Sequence, residues 1–299
     1  METIKKIDIH AHAALHHDMI PPHFKSRKGM IGPEYLLSVY DKLNIEKGVL
    51  LPITAAEAQS CLLTNEDTKI ITEKYPDRFL WFCNVDPRMG NNDLKTDLVF
   101  YLEHYKKMGA LGFGELTTHL YADDVKLEHL FEALTETELP VTIHIAPYEG
   151  GCYGIIDEIG LPRLEKMLKK YPKVKVLGHS QPFWAEISGD LTPDVRLGYP
   201  EGKVTDGRLA YLMRECENLY CDLSATSGAN AMMRDPDYCA RFVEEFSDRI
   251  LYGCDVCTDI NVFQYKFDDF LTSMRADGSI SEENYRKIVR ENAIKLLKL

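Results

Sequence analysis

Short apolar runs recur eight times along the 299 residues, and each is followed by an amphipathic or irregular segment. They lie at residues 4–11, 47–53, 79–86, 110–116, 140–146, 174–179, 219–224 and 249–255. Each is nearly continuous in apolar side chains, as a parallel strand covered on both faces must be, whereas a sheet with one wet face alternates. Parallel neighbours need a crossover at every connection, so the pattern reads as consecutive βα units. Eight regular units without a glycine-rich phosphate turn favour a closed (β/α)8 TIM barrel, of class α/β, over an open doubly wound sheet. About 250 residues suffice for such a barrel, so the expectation is one domain over residues 1–299.

Between the runs, apolar residues recur at three and four, as in Leu94, Leu98, Tyr101, Leu102 and Tyr105 or in Leu164, Met167 and Leu168. That spacing predicts helices with one buried face, forming the outer ring. Pro33 opens a helix over 34–43, and Pro76 and Pro172 follow helices that end at Tyr75 and Tyr171. The long connections, at 13–32, 147–160, 181–204, 225–235 and from 256 onward, all follow strands. In a βα barrel they gather at one end, where active sites are built.

The formal charge is −12, from 35 basic and 47 acidic residues, which disfavours polyphosphates and makes nucleic acid an unexpected partner. No run of about 18 residues is free of charge, as a membrane span would be, and the first 14 residues lack a basic stretch leading into an apolar signal core. A cytoplasmic location is the expectation. Eight cysteines in a chain this long, several within apolar runs (Cys83, Cys221, Cys254), read as reduced thiols and not as a disulfide framework.

Chemistry concentrates at the ends of the apolar runs. The first closes on Asp8-Ile9-His10-Ala11-His12, where alternation puts both imidazoles on one side, within reach of a shared divalent ion. The fifth closes on His144, the sixth on His179 and the eighth on Asp255. A buried charge or imidazole costs free energy unless it is paired or bound to metal, so four such ends aimed at one mouth call for a cation there. Glu115 ends the fourth run in the same way.

The order H-x-H, His, His, Asp resembles the amidohydrolase superfamily. The segments Tyr75-Pro76-Asp77-Arg78-Phe79 and Asn292-Ala293-Ile294-Lys295-Leu296 are similar to those of its amidohydrolase-2 branch, which also holds aminocarboxymuconate-semialdehyde decarboxylase. The resemblance spans the chain. It implies that His10, His12, His144 and Asp255 hold metal, with His179 either a further ligand or the group that holds the reacting water or substrate. It also implies that Asp255 shuttles a proton. Glu115 resembles the TatD-type branch, in which the matching residue joins the metal shell and bridges two ions; the other reading is that it positions a neighbour or binds substrate.

The implied cofactor is a divalent metal, zinc first with manganese and magnesium as alternatives, in one or two ions. The implied reaction is hydrolysis of an amide, ester or lactone of a small organic substrate by metal-activated water. The alternative is a metal-dependent decarboxylase acting on a carboxylated aromatic or enol acid. A TatD-type nuclease and a barrel that binds without catalysing stand behind both. A homodimer is the base-rate expectation.

Four further residues are candidate substrate contacts. Arg88 suits a bidentate pair with a carboxylate, or a surface ion pair. His119 lies just beyond Glu115, and Phe183 and Trp184 follow His179, where they would wall an organic ligand or pack the loop. His16, His17 and His23 in the first long loop read as solvated, and His104 and His129 as outer-face helix residues. The C-x-x-C of Cys254 and Cys257 has no second pair to complete a zinc site.

Overall fold

The computed structural model describes residues 3–18, 29–58, 63–259 and 263–299. His23 lies outside them. Among the described residues, strands and helices alternate as far as β5: β1 (Lys6–Ala11), α1 (Pro33–Leu43), β2 (Ile45–Leu50), α2 (Asn65–Lys74), β3 (Phe79–Trp81), α3 (Leu98–Lys107), β4 (Phe113–Leu116), α4 (Val125–Thr137) and β5 (Val141–Ala146). They continue as β6 (Ile155–Ile156), α5 (Pro162–Lys170), β7 (Val176–His179), α6 (Gln181–Ala185), α7 (Arg208–Glu215), β8 (Leu219–Asp222), α8 (Ala225–Met233), α9 (Pro236–Phe246), β9 (Ile250–Leu251) and α10 (Phe263–Ala276). No described helix is long and apolar enough to cross a membrane.

All strand pairs are parallel, in two arcs ordered β1-β2-β3 and β4-β5-β7-β8-β9, with β6 an extra strand beside the end of β5. Main-chain hydrogen bonds join the arcs at both seams. Between β3 and β4, Leu111 N–H donates to Trp81 O (3.0 Å), Cys83 N–H to Gly112 O and Gly114 N–H to Cys83 O (both 2.9 Å). Between β9 and β1, Ile9 N–H donates to Tyr252 O (3.0 Å) and Asp255 N–H to His10 O (2.9 Å). The eight staves thus form a ring, and the open-sheet alternative falls away.

Local chemistry explains the helix starts. Pro33, Pro162 and Pro236 occupy first-turn positions, while Thr64, Asp97, Asp124 and Asp235 cap their helices by accepting backbone N–H bonds. Lys74 and Lys170 end their helices, one residue short of Tyr75 and Tyr171. Leu94 lies ahead of α3 and is exposed, so it does not extend that helix. The stretches at 181 and 225 are not loops at their outset but open directly into α6 and α8. Inside, Ile7, Ile9, Val49, Leu51, Phe82, Leu177 and Leu251 pack with Leu296 and Leu297 of the C-terminal helix.

Candidate metal centre

Five stave ends converge on one cavity of about 300 Å³, lined by His12, Glu115, His144, His179 and Asp255 together with Met30, Ile53, Tyr153, Gln181 and Tyr199. His10 lies behind them, fully buried. Strict alternation does not carry along β1 from Asp8 to His10. Asp8 accepts from the Tyr40 hydroxyl of α1 at 2.7 Å, whereas the His10 ring meets His12 and His179, and the register against β2 shifts between Asp8 and Ala11.

The hydrogen-bond partners determine where the protons sit. His12 Nδ1 stands 2.8 Å from Leu51 O, and a carbonyl only accepts, so His12 carries its hydrogen on Nδ1. His10 Nδ1 stands 2.6 Å from the Asp222 carboxylate and is likewise the donor. With both rings neutral, the two Nε2 atoms would face each other with lone pairs at 3.1 Å, a repulsive arrangement that a proton on one of them or a metal ion between or beside them relieves.

Carboxylates crowd the same spot. Glu115 Oε2 is 3.4 Å from His12 Nε2 and 3.8 Å from His10 Nε2, and Asp255 Oδ1 is 3.7 Å and 4.0 Å from them. Asp255 Oδ2 is 3.8 Å from His179 Nε2, and His179 Nδ1 is 2.9 Å from the Ser224 hydroxyl. Three overlapping triads each bring donor atoms within 4.8 Å of one another: His10, His12 and Glu115; His10, His179 and Asp255; and Glu115, His144 and His179. The buried Nδ1 of His144 has no hydrogen-bond partner among the described residues. Imidazole nitrogens and carboxylate oxygens in this number are the donors that zinc, manganese and related divalent ions take, so the residues fit such a group.

The electrostatics say the same. Burial opposes charge on His10, but Asp222, Asp255 and Glu115 overcome it and push the imidazole up to about 10. His179, under burial and the field of His10, is pushed down to about 3. Burial raises the Asp255 carboxyl despite the pull of His10 and His12. Burial also opposes charge on Glu115, yet His12, 3.4 Å away, and the charge on His10 hold it well below the usual carboxylate range. A cluster that draws a proton this strongly onto His10 offers the same field to a divalent ion.

The amidohydrolase profile matches residues 7–299, and so takes in every residue of this cluster. The chain belongs to the amidohydrolase family, in its amidohydrolase-2 branch. Among solved structures, the 2,6-dihydroxybenzoate decarboxylase from Rhizobium is 17% identical, with 99% of each chain covered and a TM-score of 0.64. A probable 2-pyrone-4,6-dicarboxylic acid hydrolase from Acinetobacter baumannii, solved with citric acid, is 14% identical over 99% of this chain and 100% of its own, with a TM-score of 0.64. A dihydroxybenzoic acid decarboxylase from Polaromonas, solved with manganese and the inhibitor 2-nitroresorcinol, is 19% identical over 99% of this chain and 98% of its own, with a TM-score of 0.59. These likenesses show a common barrel fold. No curated protein matches significantly by sequence.

This amidohydrolase is accordingly an enzyme, and the other candidate residues take varied places in it. Phe183 and Trp184 do not line the cavity: both are buried, Phe183 lying over Gly178, where a Cβ would come within 2.1 Å of its ring, and Trp184 donating from Nε1 to Asp222 O at 2.9 Å. The helix that starts at Gln181 turns them into the core. Arg88 is engaged by Asp86 and, in a two-pronged pair, by Glu57 at 2.6 and 2.8 Å. His119 lines a neighbouring groove but spends both ring nitrogens on main chain. His16, His17 and His104 are exposed, and His129 stands 2.9 Å from Thr96 O. Asp222, Ser224 and Tyr153 join the site without having been singled out from sequence.

Proposed function

We propose that this amidohydrolase is a divalent-metal-dependent, non-oxidative decarboxylase of a small hydroxylated aromatic or enol carboxylic acid. The observation that carries the reading is the charge of the cavity. Among the described residues, no lysine or arginine lines it or the adjoining groove, and Arg88 is spent on Asp86 and Glu57. Among the described residues, an acid entering here finds positive charge only at the imidazole cluster, which directs its carboxylate there. A substrate with further carboxylates, such as the dicarboxylic acid named for the hydrolase relative, would lack partners for them among the described residues. The hydroxybenzoate decarboxylases of the same fold support this reading.

His10, His12, Glu115, His144, His179 and Asp255 would hold the ion. When bound, it would supply the charge that neutralises and orients the acid's carboxylate and neighbouring hydroxyl. The chain's own part is the proton. Asp255 has a carboxyl raised by burial, and its side chain, 19% exposed, is more open to the cavity than those of His10, His12, Glu115 or His179. Its proton passes to the carbon that bears the carboxylate; the C–C bond breaks, the electron pair returns to the ring, and carbon dioxide leaves. Water is not consumed. Tyr153, Tyr199, Met30 and Ile53 give the ring apolar walls.

Hydrolysis of a lactone remains the second reading, supported by the hydrolase of the same fold. The two separate in deuterium oxide containing 18O. Manganese-loaded protein offered 2-hydroxybenzoates and dihydroxybenzoates is expected to release carbon dioxide and leave one deuterium at the vacated carbon. Turnover of a lactone with 18O in the product, and no carbon dioxide from any acid, would overturn the proposal.

A further inference from the structure

The strap that follows β5 is tied to the loop that follows β4. Gly154 N–H donates to Thr117 O (2.9 Å), Ile156 N–H to Leu120 O (2.7 Å), Ala122 N–H to Ile156 O (2.9 Å), and the Tyr121 hydroxyl to Glu149 (2.7 Å). Two more ties converge on one side chain. Gly150 N–H donates to His119 Nε2 at 2.8 Å, and His119 Nδ1 stands 3.2 Å from Gly154 O. The amide can only donate and the carbonyl only accept, so His119 is the neutral Nδ1–H tautomer with both nitrogens engaged.

The strap is also pressed against β5. Gly154 has φ +109°, and a Cβ there would lie 2.5 Å from His144 O and 2.7 Å from His144 Nδ1, so only glycine fits. Between the two residues that His119 holds, the strap carries Tyr153. Its ring centroid is 4.5 Å from that of His144, and it borders both the inner cavity and an outer groove of about 780 Å³.

We propose that Tyr153 is the specificity-determining wall between cavity and groove, and that His119 is the positioning residue that holds it there. Tyr153 limits the thickness of a group lying beside His144 and so selects planar acids. His119 acts through the strap and leaves the acid untouched. The proposal rests on reading the cavity as the site of an acid, and its test reads the strap separately from binding.

Three variants separate the ties. His119→Phe fills the space without either bond, His119→Asn keeps a donor towards Gly154 but falls short of Gly150, and His119→Gln carries an acceptor to the Nε2 position. Amide hydrogen exchange at Gly150 is expected to accelerate at least tenfold in the Phe and Asn variants and to stay within twofold in the Gln variant. Unchanged exchange in all three overturns the role of His119; should the Phe variant not fold, the Asn and Gln contrast decides. In manganese-loaded protein, the affinity ratio of planar 2-hydroxybenzoate to puckered 2-hydroxycyclohexanecarboxylate is expected to narrow at least fivefold in Tyr153→Ala and in His119→Phe, with manganese affinity within twofold. An unchanged ratio in Tyr153→Ala overturns the wall. Wild-type protein that binds neither acid rejects the acid site and the wall with it, while exchange at Gly150 still decides the latch.

Discussion

At the scale of single residues, the site depends on which nitrogen of each imidazole holds a hydrogen, and Asp222 decides this for His10. Its carboxylate, completely buried, receives the His10 Nδ1–H at 2.6 Å and so presents Nε2 to the cavity. Asp222→Asn keeps the shape but exchanges an acceptor carboxylate for an amide that can turn its NH2 to the ring and reverse the tautomer. Affinity for manganese, measured by chelator competition, is expected to fall about 10–100-fold; affinity equal to wild type would mean that Asp222 orients nothing. Asp255→Asn removes the proposed proton donor, and kcat is expected to fall on the order of 10²–10⁴-fold with manganese still bound. A variant that bound metal and turned over at the wild-type rate would remove Asp255 from the reaction. Asp222 ends an apolar run just as His144 and Asp255 do, so the same signature marks it in the sequence. What a linear pattern cannot show is that it stands behind His10 and not beside it, because that depends on β8 and β1 meeting across the ring.

At the scale of elements, the apolar runs are legible because a buried parallel strand leaves no room for polar side chains on either face. Their ends are less so. The eighth run spans seven residues, yet only Ile250 and Leu251 form regular strand, and Tyr252 to Asp255 continue through single hydrogen bonds to β1. The stretch after β7 misleads for another reason. The Ser180 hydroxyl accepts from Phe183 N–H and Pro182 sits in the first turn, so a helix begins at once where polar and glycine-rich residues downstream suggest a loop. That helix determines what Phe183 does. Phe183→Ala is expected to destabilise the protein by about 3–5 kcal/mol in denaturant unfolding, the cost of an emptied aromatic site, with substrate affinity little altered in the folded fraction. A large loss of substrate affinity at unchanged stability would return the residue to the cavity wall.

At the scale of the whole molecule, the donor set spans the ring. His10 comes from β1 and His12 from the residue just after it, Glu115 from β4, His144 from β5, His179 from β7, and Asp255 from the stretch beyond β9, so both arcs and the β9–β1 seam contribute. No single apolar run reveals this, since closure shows only in hydrogen bonds between segments as remote as His10 and Asp255. An ion held by these side chains ties together staves that unfolding would separate, and the unfolded chain offers no comparable site. Binding to the native state alone stabilises by RT ln(1 + [L]/Kd), about 2.7 kcal/mol when free metal is 100 times Kd. Manganese at that excess is therefore expected to raise the unfolding free energy by about this amount, and a chelator to reverse it. His144→Ala removes one donor whose Nδ1 makes no hydrogen bond among the described residues, so at the same metal concentration the gain should shrink as Kd rises while the metal-free stability changes less. Equal stability with and without manganese in the wild-type protein would mean that these side chains converge without sharing an ion. The lone pairs of His10 and His12 would then face each other across a proton alone.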